Sequence, residues 1–149
     1  MMAKTTKEKA IESFRGGLNC SQAVFSACSE KLGFDEKNAL RVALGFGGGM
    51  GRLQETCGAV TGSYMAISVN TCNKLTDNKE RKEESYAMIR EFSRRFREIH
   101  GTTDCIDILK VDLKTEEGSR YARENKLFDT LCEKCITDSI EILEQFKVI

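Results

Sequence analysis

Proline is absent from this chain of 149 residues, and so is tryptophan. At the average usage of about 5%, a chain of this length would hold roughly seven prolines. Proline interrupts helices, and the sequence has no useful run of alternating polar and apolar residues of the kind that strands need. We therefore expect an all-α fold, in which residues 1–149 form a single domain, an irregular bundle of five to seven helices around the helix that begins near Cys57.

An excess of charge of either sign is also absent. Lysine and arginine together number 23, aspartate and glutamate together number 23, and the formal net charge is zero. A basic field would point to nucleic acid and an acidic field to a cationic partner. We therefore expect no nucleic acid among the partners of this protein.

Long hydrophobic runs are missing as well. The first ten residues are polar, and the most apolar later stretch, residues 58–69, is too short and too interrupted to span a bilayer. We expect no membrane insertion and a cytoplasmic protein. In that reducing compartment the seven cysteines fit a disulfide scaffold poorly, all the more because their number is odd. Metal binding or redox chemistry is the main alternative to inert burial of these thiols.

A glycine-rich stretch, residues 45–62, is the most informative part of the sequence. It reads GFGGGMGRLQETCGAVTG, with five glycines in its first seven residues. So many glycines predict a tight turn with positive φ angles, after which a helix begins near Cys57 with Thr56 as its N-cap. A cysteine in the first turn of a helix lies where backbone N–H groups and the helix dipole favour a thiolate. Cys57 is therefore the first candidate for a chemically active residue.

The glycine turn itself has two interpretations. A phosphate-binding loop would need a preceding strand and a Lys-Ser/Thr pair, and because both are missing we favour a turn between two helices. Gly48 and Gly49 could still let a cofactor approach the backbone closely, and Arg52 could hold an anion. After the turn, small residues recur every four positions and predict a close helix crossing. They are Gly58, Gly62 and Ala66.

Capping residues and apolar spacing predict the helices of the first half. One helix covers residues 5–15, a second follows an Asn19 and Gln22 capping box, and a third follows Asp35. The apolar side chains expected to face the core from these helices and from the Cys57 helix are Ala10, Ile11, Phe14, Val24, Phe25, Cys28, Leu32, Leu40, Ala43, Leu44, Val60, Tyr64 and Ile67.

The same signals continue in the second half. We expect a polar linker over residues 70–78, the longest helix over residues 78–99 and a weakly helical segment over residues 115–125. A T-x-x-E capping box at Thr130 and Glu133 predicts the start of the last helix. The apolar side chains expected to face the core from the long and the last helix are Tyr86, Ile89, Phe92, Phe96, Ile99, Ile136, Ile140, Leu143 and Phe146.

Four of the seven cysteines come just after a predicted helix cap. If the four helix ends converge, their dipoles would jointly stabilise thiolates, an anionic metal–thiolate cluster or a reactive cysteine pair. The four are therefore candidate catalytic residues and candidate metal ligands. Inert packing stays an alternative, because free cysteine is among the most buried residue types. The cysteines are Cys20, Cys57, Cys105 and Cys132, after Asn19, Thr56, Asp104 and Thr130.

The other thiols and the one histidine carry weaker signals. Cys28 and Cys72 are expected to be packing residues. Cys132 and Cys135 form a C-x-x-C pair, but without a second close pair it does not indicate a zinc ribbon, and without a βαβ pattern it does not indicate a thioredoxin-like site. His100 is expected to interact with the carboxyl end of its own helix rather than to act as a ligand or base.

Several of these motifs together resemble a known family. Asn19-Cys20-Ser21-Gln22, the glycine turn with Arg52, the CGAVTG element from Cys57, Cys105 before Ile108-Leu109, and Cys132 before an amphipathic helix are similar to the family described as "putative redox-active protein" and named for its C, GCAxxG, C, C pattern. The resemblance covers nearly the whole chain.

The resemblance implies a small redox protein, often encoded near transporter genes, for which no reaction is established. By resemblance its four characteristic cysteines are Cys20, Cys57, Cys105 and Cys132. The helical domain of split-Soret cytochromes c is also similar, but this chain lacks a C-x-x-C-H motif and covalent haem is not implied. Two departures are Glu133, where relatives often carry proline, and the additional Cys135, which is either a resolving partner for Cys132 or without a role.

Two functional hypotheses remain open. In the first, the four cysteines serve redox chemistry, either as dithiols or as ligands of an iron–sulfur cluster or another thiolate-bound metal, with an unknown redox partner and a link to a transport system implied by the resemblance. In the second, the protein is a non-enzymatic structural or binding module with a four-cysteine zinc site or inert buried cysteines. A homodimer is compatible with both.

Overall fold

A computed structural model describes residues 3–149. Within this range all regular secondary structure is helical, apart from an isolated bridge between Thr56 and Asp104, so the prediction of an all-α single domain is confirmed. No helix among these residues combines the length and apolar character needed to cross a bilayer. The helices are α1 (Thr6–Arg15), α2 (Cys20–Leu32), α3 (Glu36–Ala43), a 3₁₀ turn (Leu44–Phe46), α4 (Gly47–Met50), α5 (Gly58–Lys74), α6 (Asn78–His100), α7 (Cys105–Leu109), α8 (Glu116–Glu124), a π-helical turn (Phe128–Cys132) and α9 (Glu133–Gln145).

The crossing of α2 and α5 is the tightest contact in the bundle. A Cβ atom placed on Gly62 would lie 2.7 Å from the carbonyl oxygen of Ser21, and one placed on Gly58 would lie 2.9 Å from the backbone nitrogen of the same serine. Both distances are too short for any side chain, so the two backbones approach as closely as they do only because these positions are glycine. The predicted small-residue stripe is confirmed, and it places the first residue of α2 beside the start of α5.

The core forms around α5, which packs against α2, α6 and α9. Val60 and Ile67 of α5 are fully buried, and Phe92 stacks with Phe96 inside the bundle at 6.3 Å between ring centroids. The last helix buries the predicted face through Ile136, Ile140 and Leu143. Three residues expected to face the core, Leu44, Tyr86 and Ile99, are instead exposed. Leu44 lies beyond the end of α3, and Tyr86 and Ile99 lie on α6, of which only Phe92 and Phe96 are buried.

The predicted linker over residues 70–78 is wrong for most of its length. Helix α5 continues to Lys74, and only residues 75–77 connect it to α6. Asn70 and Thr71 are buried in α5, and the side-chain amide of Asn73 donates to the carbonyl of Leu32 at 2.8 Å. The helix continues through these polar residues because their backbone groups are hydrogen-bonded within it, although the buried hydroxyl of Thr71 has no hydrogen-bond partner among the described residues.

Some predicted caps are present and others are not. The Asn19 and Gln22 capping box and the Asp35 cap form as predicted. Thr56 lies in the bridge to Asp104, so Cys57 itself is the N-cap of α5; Asp104 occupies the N-cap position of α7, but its side chain makes no capping bond.

The predicted capping box at Thr130 and Glu133 is wrong. The hydroxyl of Thr130 donates back to the carbonyl of Lys126 at 2.9 Å, and the chain enters α9 through the π-helical turn. Because this turn already supplies helical partners, the start of α9 has no free N–H groups that a cap would satisfy. Cys132 therefore has helical φ and ψ angles of −68° and −40° and lies inside a helical segment rather than at a free N-terminus.

Candidate thiol site

Five of the seven cysteines line one cavity of about 390 Å³. All seven cysteines are free thiols in the structure. The cavity therefore brings together the four cysteines that the sequence singled out and one that it left undecided. They are Cys20, Cys57, Cys105, Cys132 and Cys135.

Cys57 and Cys105 are held beside each other by the backbone. The N–H of Cys57 donates to the carbonyl of Thr103 at 2.7 Å, and the N–H of Cys105 donates to the carbonyl of Glu55 at 2.6 Å. These two bonds flank the Thr56–Asp104 bridge and align two short extended segments. The positions of both thiols are thus fixed by main-chain pairing that links the end of the glycine turn to α7.

Gln54 strengthens the connection between the glycine turn and α7, and no sequence pattern predicted this role. Its side chain is 2% exposed, its amide nitrogen donates to the carbonyl of Val111 at 2.8 Å, and its amide oxygen accepts from the N–H of Leu113 at 2.7 Å. A buried glutamine with both ends of its amide bonded fastens the loop after α7 to the cavity wall. Nothing in the sequence distinguishes this glutamine from a surface residue, except that it follows the glycine turn.

The glycine turn forms another part of the wall. Gly48 and Gly49 have φ angles of 64° and 70°, and a Cβ on Gly49 would lie 2.5 Å from the Cα of Gln54. A Cβ on Gly48 would lie 2.9 Å from Cγ of Arg52, so the arginine stem packs over this glycine. The three predicted cofactor-binding positions, Gly48, Gly49 and Arg52, all line the thiol cavity.

Cys57 has an environment that favours its thiolate. The thiol of Cys135 donates a hydrogen bond to Cys57 and lowers the pKa of Cys57 below the usual 9.0; burial opposes this effect, and the N–H groups of Ala59 and Val60 add to it. Cys57 occupies the N-cap position of α5, where its carbonyl accepts from the N–H groups of Val60 and Thr61 at 2.9 and 3.0 Å and its side chain makes no capping bond. The sequence thus predicted the right effect, with the cysteine one position earlier than expected.

The neighbouring thiols behave in the opposite way. The hydrogen bond to Cys57, together with burial, raises the pKa of Cys135 far above its usual value. A hydrogen bond to Cys132, together with burial, raises the pKa of Cys20, and burial raises the pKa of Cys105 to about 12. The pKa shifts thus couple Cys57 with Cys135 and Cys20 with Cys132, and Cys105 is a further thiol of the same cavity.

The remaining candidates lie outside this cavity. Cys28 is fully buried in the apolar core, in agreement with a packing role, whereas Cys72 is exposed at the end of α5, so the prediction of packing there is wrong. His100 ends α6 as predicted, but its Nε2 atom lies 2.9 Å from Asp138 of α9, and its ring stacks on Phe96 at 4.4 Å. This histidine therefore fastens α6 to α9.

The donor atoms of the cavity have the chemistry of a soft-metal site, because thiolates select iron–sulfur clusters, zinc and copper(I). Within residues 3–149, however, no group of three or more Cys, His, Asp or Glu side chains is arranged to hold a metal ion. The structure shows free thiols that line one cavity without the arrangement of a metal site.

Comparison with known proteins assigns the class. A sequence model of the family described as "Putative redox-active protein (C_GCAxxG_C_C)" matches residues 18–146, and the chain belongs to this family. A protein of Archaeoglobus fulgidus, described as "Uncharacterized protein", is 30% identical over 130 residues, which cover 82% of this chain and 86% of that protein. No solved structure matches the chain. The resemblance inferred from the motifs is confirmed.

Proposed function

We propose that this protein is a dithiol redox protein whose reactive pair is Cys57 and Cys135. The observation that carries the proposal is that both thiols line one cavity that a small molecule could enter, and the influence of Cys135 on the pKa of Cys57 supports it. The pKa of Cys57 is lowered, which favours its thiolate, and the pKa of Cys135 is raised, which favours its protonated thiol. A nucleophilic thiolate beside a second thiol is the arrangement that thiol–disulfide exchange requires.

The exchange would proceed in two displacements. The Cys57 thiolate attacks one sulfur of a substrate disulfide, a mixed disulfide forms, and one half of the substrate leaves as a thiolate. Cys135 then loses its proton to solvent and attacks the sulfur of Cys57, which forms the Cys57–Cys135 disulfide and releases the second half. Two electrons pass from the protein to the substrate, and a thiol reductant restores the pair.

The other thiols have supporting places in this scheme. Cys20 and Cys132 line the same cavity, and their interaction raises the pKa of Cys20, so they are a second candidate thiol pair. Cys105 is held beside Cys57 by the backbone pairing. The four family cysteines thus surround the reactive pair, and Cys57 belongs to both sets.

Metal binding is the second candidate, supported by the convergence of the family cysteines on one cavity. Cys20, Cys57, Cys105 and Cys132 would be the ligands, and a bound cluster would supply one-electron transfer in place of dithiol chemistry. A structural zinc at the same four residues would instead contribute folding free energy and show no redox couple. The redox cluster and the structural zinc both predict stoichiometric metal in protein purified without oxygen.

The test is to oxidise the reduced protein with bis(hydroxyethyl) disulfide under anaerobic conditions and to map the disulfides by mass spectrometry. We expect a Cys57–Cys135 bond, which the Cys57→Ser and Cys135→Ser variants lose and the matched controls Cys28→Ser and Cys72→Ser keep. A bond formed only between Cys20 and Cys132, or none within the cavity, contradicts the proposal. Stoichiometric iron with sulfide, or stoichiometric zinc, in the anaerobic protein would favour the second candidate.

A further inference from the structure

We propose that the thiol cavity binds a small anionic disulfide through Arg52 and Arg123. This inference rests on the proposed dithiol function and names the substrate class on which that function would act. It depends on the charges, the wall chemistry and the size of the cavity, and it assigns a binding role to an arginine of α8 that no sequence motif singles out.

The charge of the cavity has one sign. Of the residues that line it, only Arg52 and Arg123 are charged, and no aspartate or glutamate is among them. Neither arginine forms a salt bridge with any residue in the described part of the chain. Two guanidinium groups without a carboxylate partner make a fixed positive field at the cavity, which favours an anionic ligand.

Local structure positions both arginines. The stem of Arg52 packs over Gly48, where any side chain would displace it. The Nη1 atom of Arg123 donates to the hydroxyl of Ser119 at 2.8 Å, one turn earlier on α8. Both arginines are exposed, whereas Cys57 is 6% exposed. The positive groups therefore lie toward solvent and the reactive sulfur lies deeper.

The rest of the wall suits a short carbon chain. Ile108, Leu109 and Leu113 line one part of the cavity, and Phe14 and Phe128 line another. A volume of about 390 Å³ falls within the range of roughly 300–1,000 Å³ that is typical of small-molecule sites. A small disulfide that carries carboxylates would place its charges at the arginines and its carbon atoms on the apolar wall, with the sulfur atoms toward Cys57.

The experiment compares three small disulfides that differ in charge. Reduced protein is oxidised anaerobically by dithiodipropionate, which is dianionic, by cystamine, which is dicationic, and by bis(hydroxyethyl) disulfide, which is neutral. We expect the dianion to react about tenfold faster than the dication at low ionic strength. The ratio should fall as salt is added, because the Debye length shrinks to about 3 Å at 1 M salt.

Arginine variants locate the origin of the preference. In the double variant Arg52→Gln and Arg123→Gln the ratio of dianion to dication rate should fall to about one. The matched control is Arg120→Gln, because Arg120 is an exposed arginine of the same helix that pairs with Glu116 at 3.7 Å and does not line the cavity. This control should keep the wild-type ratio.

The outcomes separate the two proposals. If the wild-type protein shows no charge preference, or if the double variant keeps it, the anionic-substrate inference is wrong, while oxidation by the neutral disulfide still supports the dithiol function. If none of the three disulfides oxidises Cys57, the dithiol function itself fails. A preference lost in Arg120→Gln as well would show a general surface field rather than a site.

Discussion

The two walls of the thiol cavity hold their cysteines by different means. On one wall, Cys20 and Cys57 stand at the starts of α2 and α5, where the glycine crossing fixes backbone against backbone. On the other wall, Cys105, Cys132 and Cys135 lie in a five-residue helix, a π-helical turn and the first turn of α9. We refer to these as the crossing wall and the C-terminal wall.

Apart from the main-chain pairing that holds Cys105 beside Cys57, the C-terminal wall is attached through side chains. Gln54 fastens the loop after α7, and Arg15 of α1 makes a two-bonded ion pair with Glu133 at 2.9 and 2.8 Å. In the proposed dithiol reaction, the crossing wall would supply the sulfur of Cys57 and the C-terminal wall would supply Cys135. Close backbone packing therefore positions Cys57, whereas contacts between side chains of distant segments position Cys135.

The most direct way to disrupt the crossing wall is to substitute Gly62. In Gly62→Val the added atoms would overlap the carbonyl of Ser21, 2.7 Å from the position of Cβ, and press on Cβ of Val24 at 3.2 Å. We expect the free energy of unfolding to fall by about 3 kcal/mol, measured by urea denaturation. The matched control is Gly45→Ala, since a Cβ there meets nothing within 4 Å. Equal stability of the two variants would show that the crossing is not tight.

The attachment of the C-terminal wall is tested at Gln54. Gln54→Leu keeps most of the side-chain volume but removes the bonds to Val111 and Leu113, and we expect a loss of about 2 kcal/mol in the free energy of unfolding. Amide hydrogen exchange at Leu113 should accelerate, and Cys105 should become more accessible to an alkylating reagent. Gln145→Leu, at an exposed position of α9, is the control. Unchanged exchange at Leu113 would mean that the loop is held by other contacts.

The two walls also differ in how far the sequence predicts them. The crossing wall can be predicted from patterns between residues close in the sequence. Asn19 and Gln22 form a capping box, and the spacing of small residues after Cys57 indicates that another helix packs closely against α5. These features depend on residues near one another in the chain. The sequence therefore predicted the starts of both helices and their crossing, but missed that Cys57 caps its own helix and that α5 continues to Lys74.

The C-terminal wall could not be predicted in the same way. The bonds of Gln54 join residues 57 and 59 positions apart in the chain, so no local pattern reveals them. The T-x-x-E pattern predicted a capping box at Thr130, but the chain enters α9 through a π-helical turn and therefore has no free helix end to cap. Cys135 looked like a weak C-x-x-C partner of Cys132, whereas tertiary packing pairs it with Cys57. Contacts between distant segments overrode the local signals in each case.

The smallest change in the free energy of unfolding is expected at His100, which contacts α9, the helix that carries Cys135. Burial lowers the pKa of His100, and Asp138, which also accepts from Lys134 at 3.0 Å, opposes this only in part. A histidine with a lowered pKa contributes stability that is fully present above its unfolded pKa of about 6.5 and is lost as pH falls through the folded pKa. We therefore expect the free energy of unfolding to decline as the pH is lowered from about 6.5, by less than about 1 kcal/mol because the ring is only partly buried.

The matched variant for this last prediction is His100→Phe, which keeps an aromatic ring against Phe96 and cannot be protonated. Urea denaturation across the acidic range should show a shallower decline in the variant than in the wild type, while carboxylate titration lowers both curves alike. An identical pH dependence in the two proteins would mean that protonation of His100 does not change the free energy of unfolding. A decline that is steeper in the variant would mean that the charged histidine is favoured in the folded protein, and that the pairing with Asp138 outweighs burial.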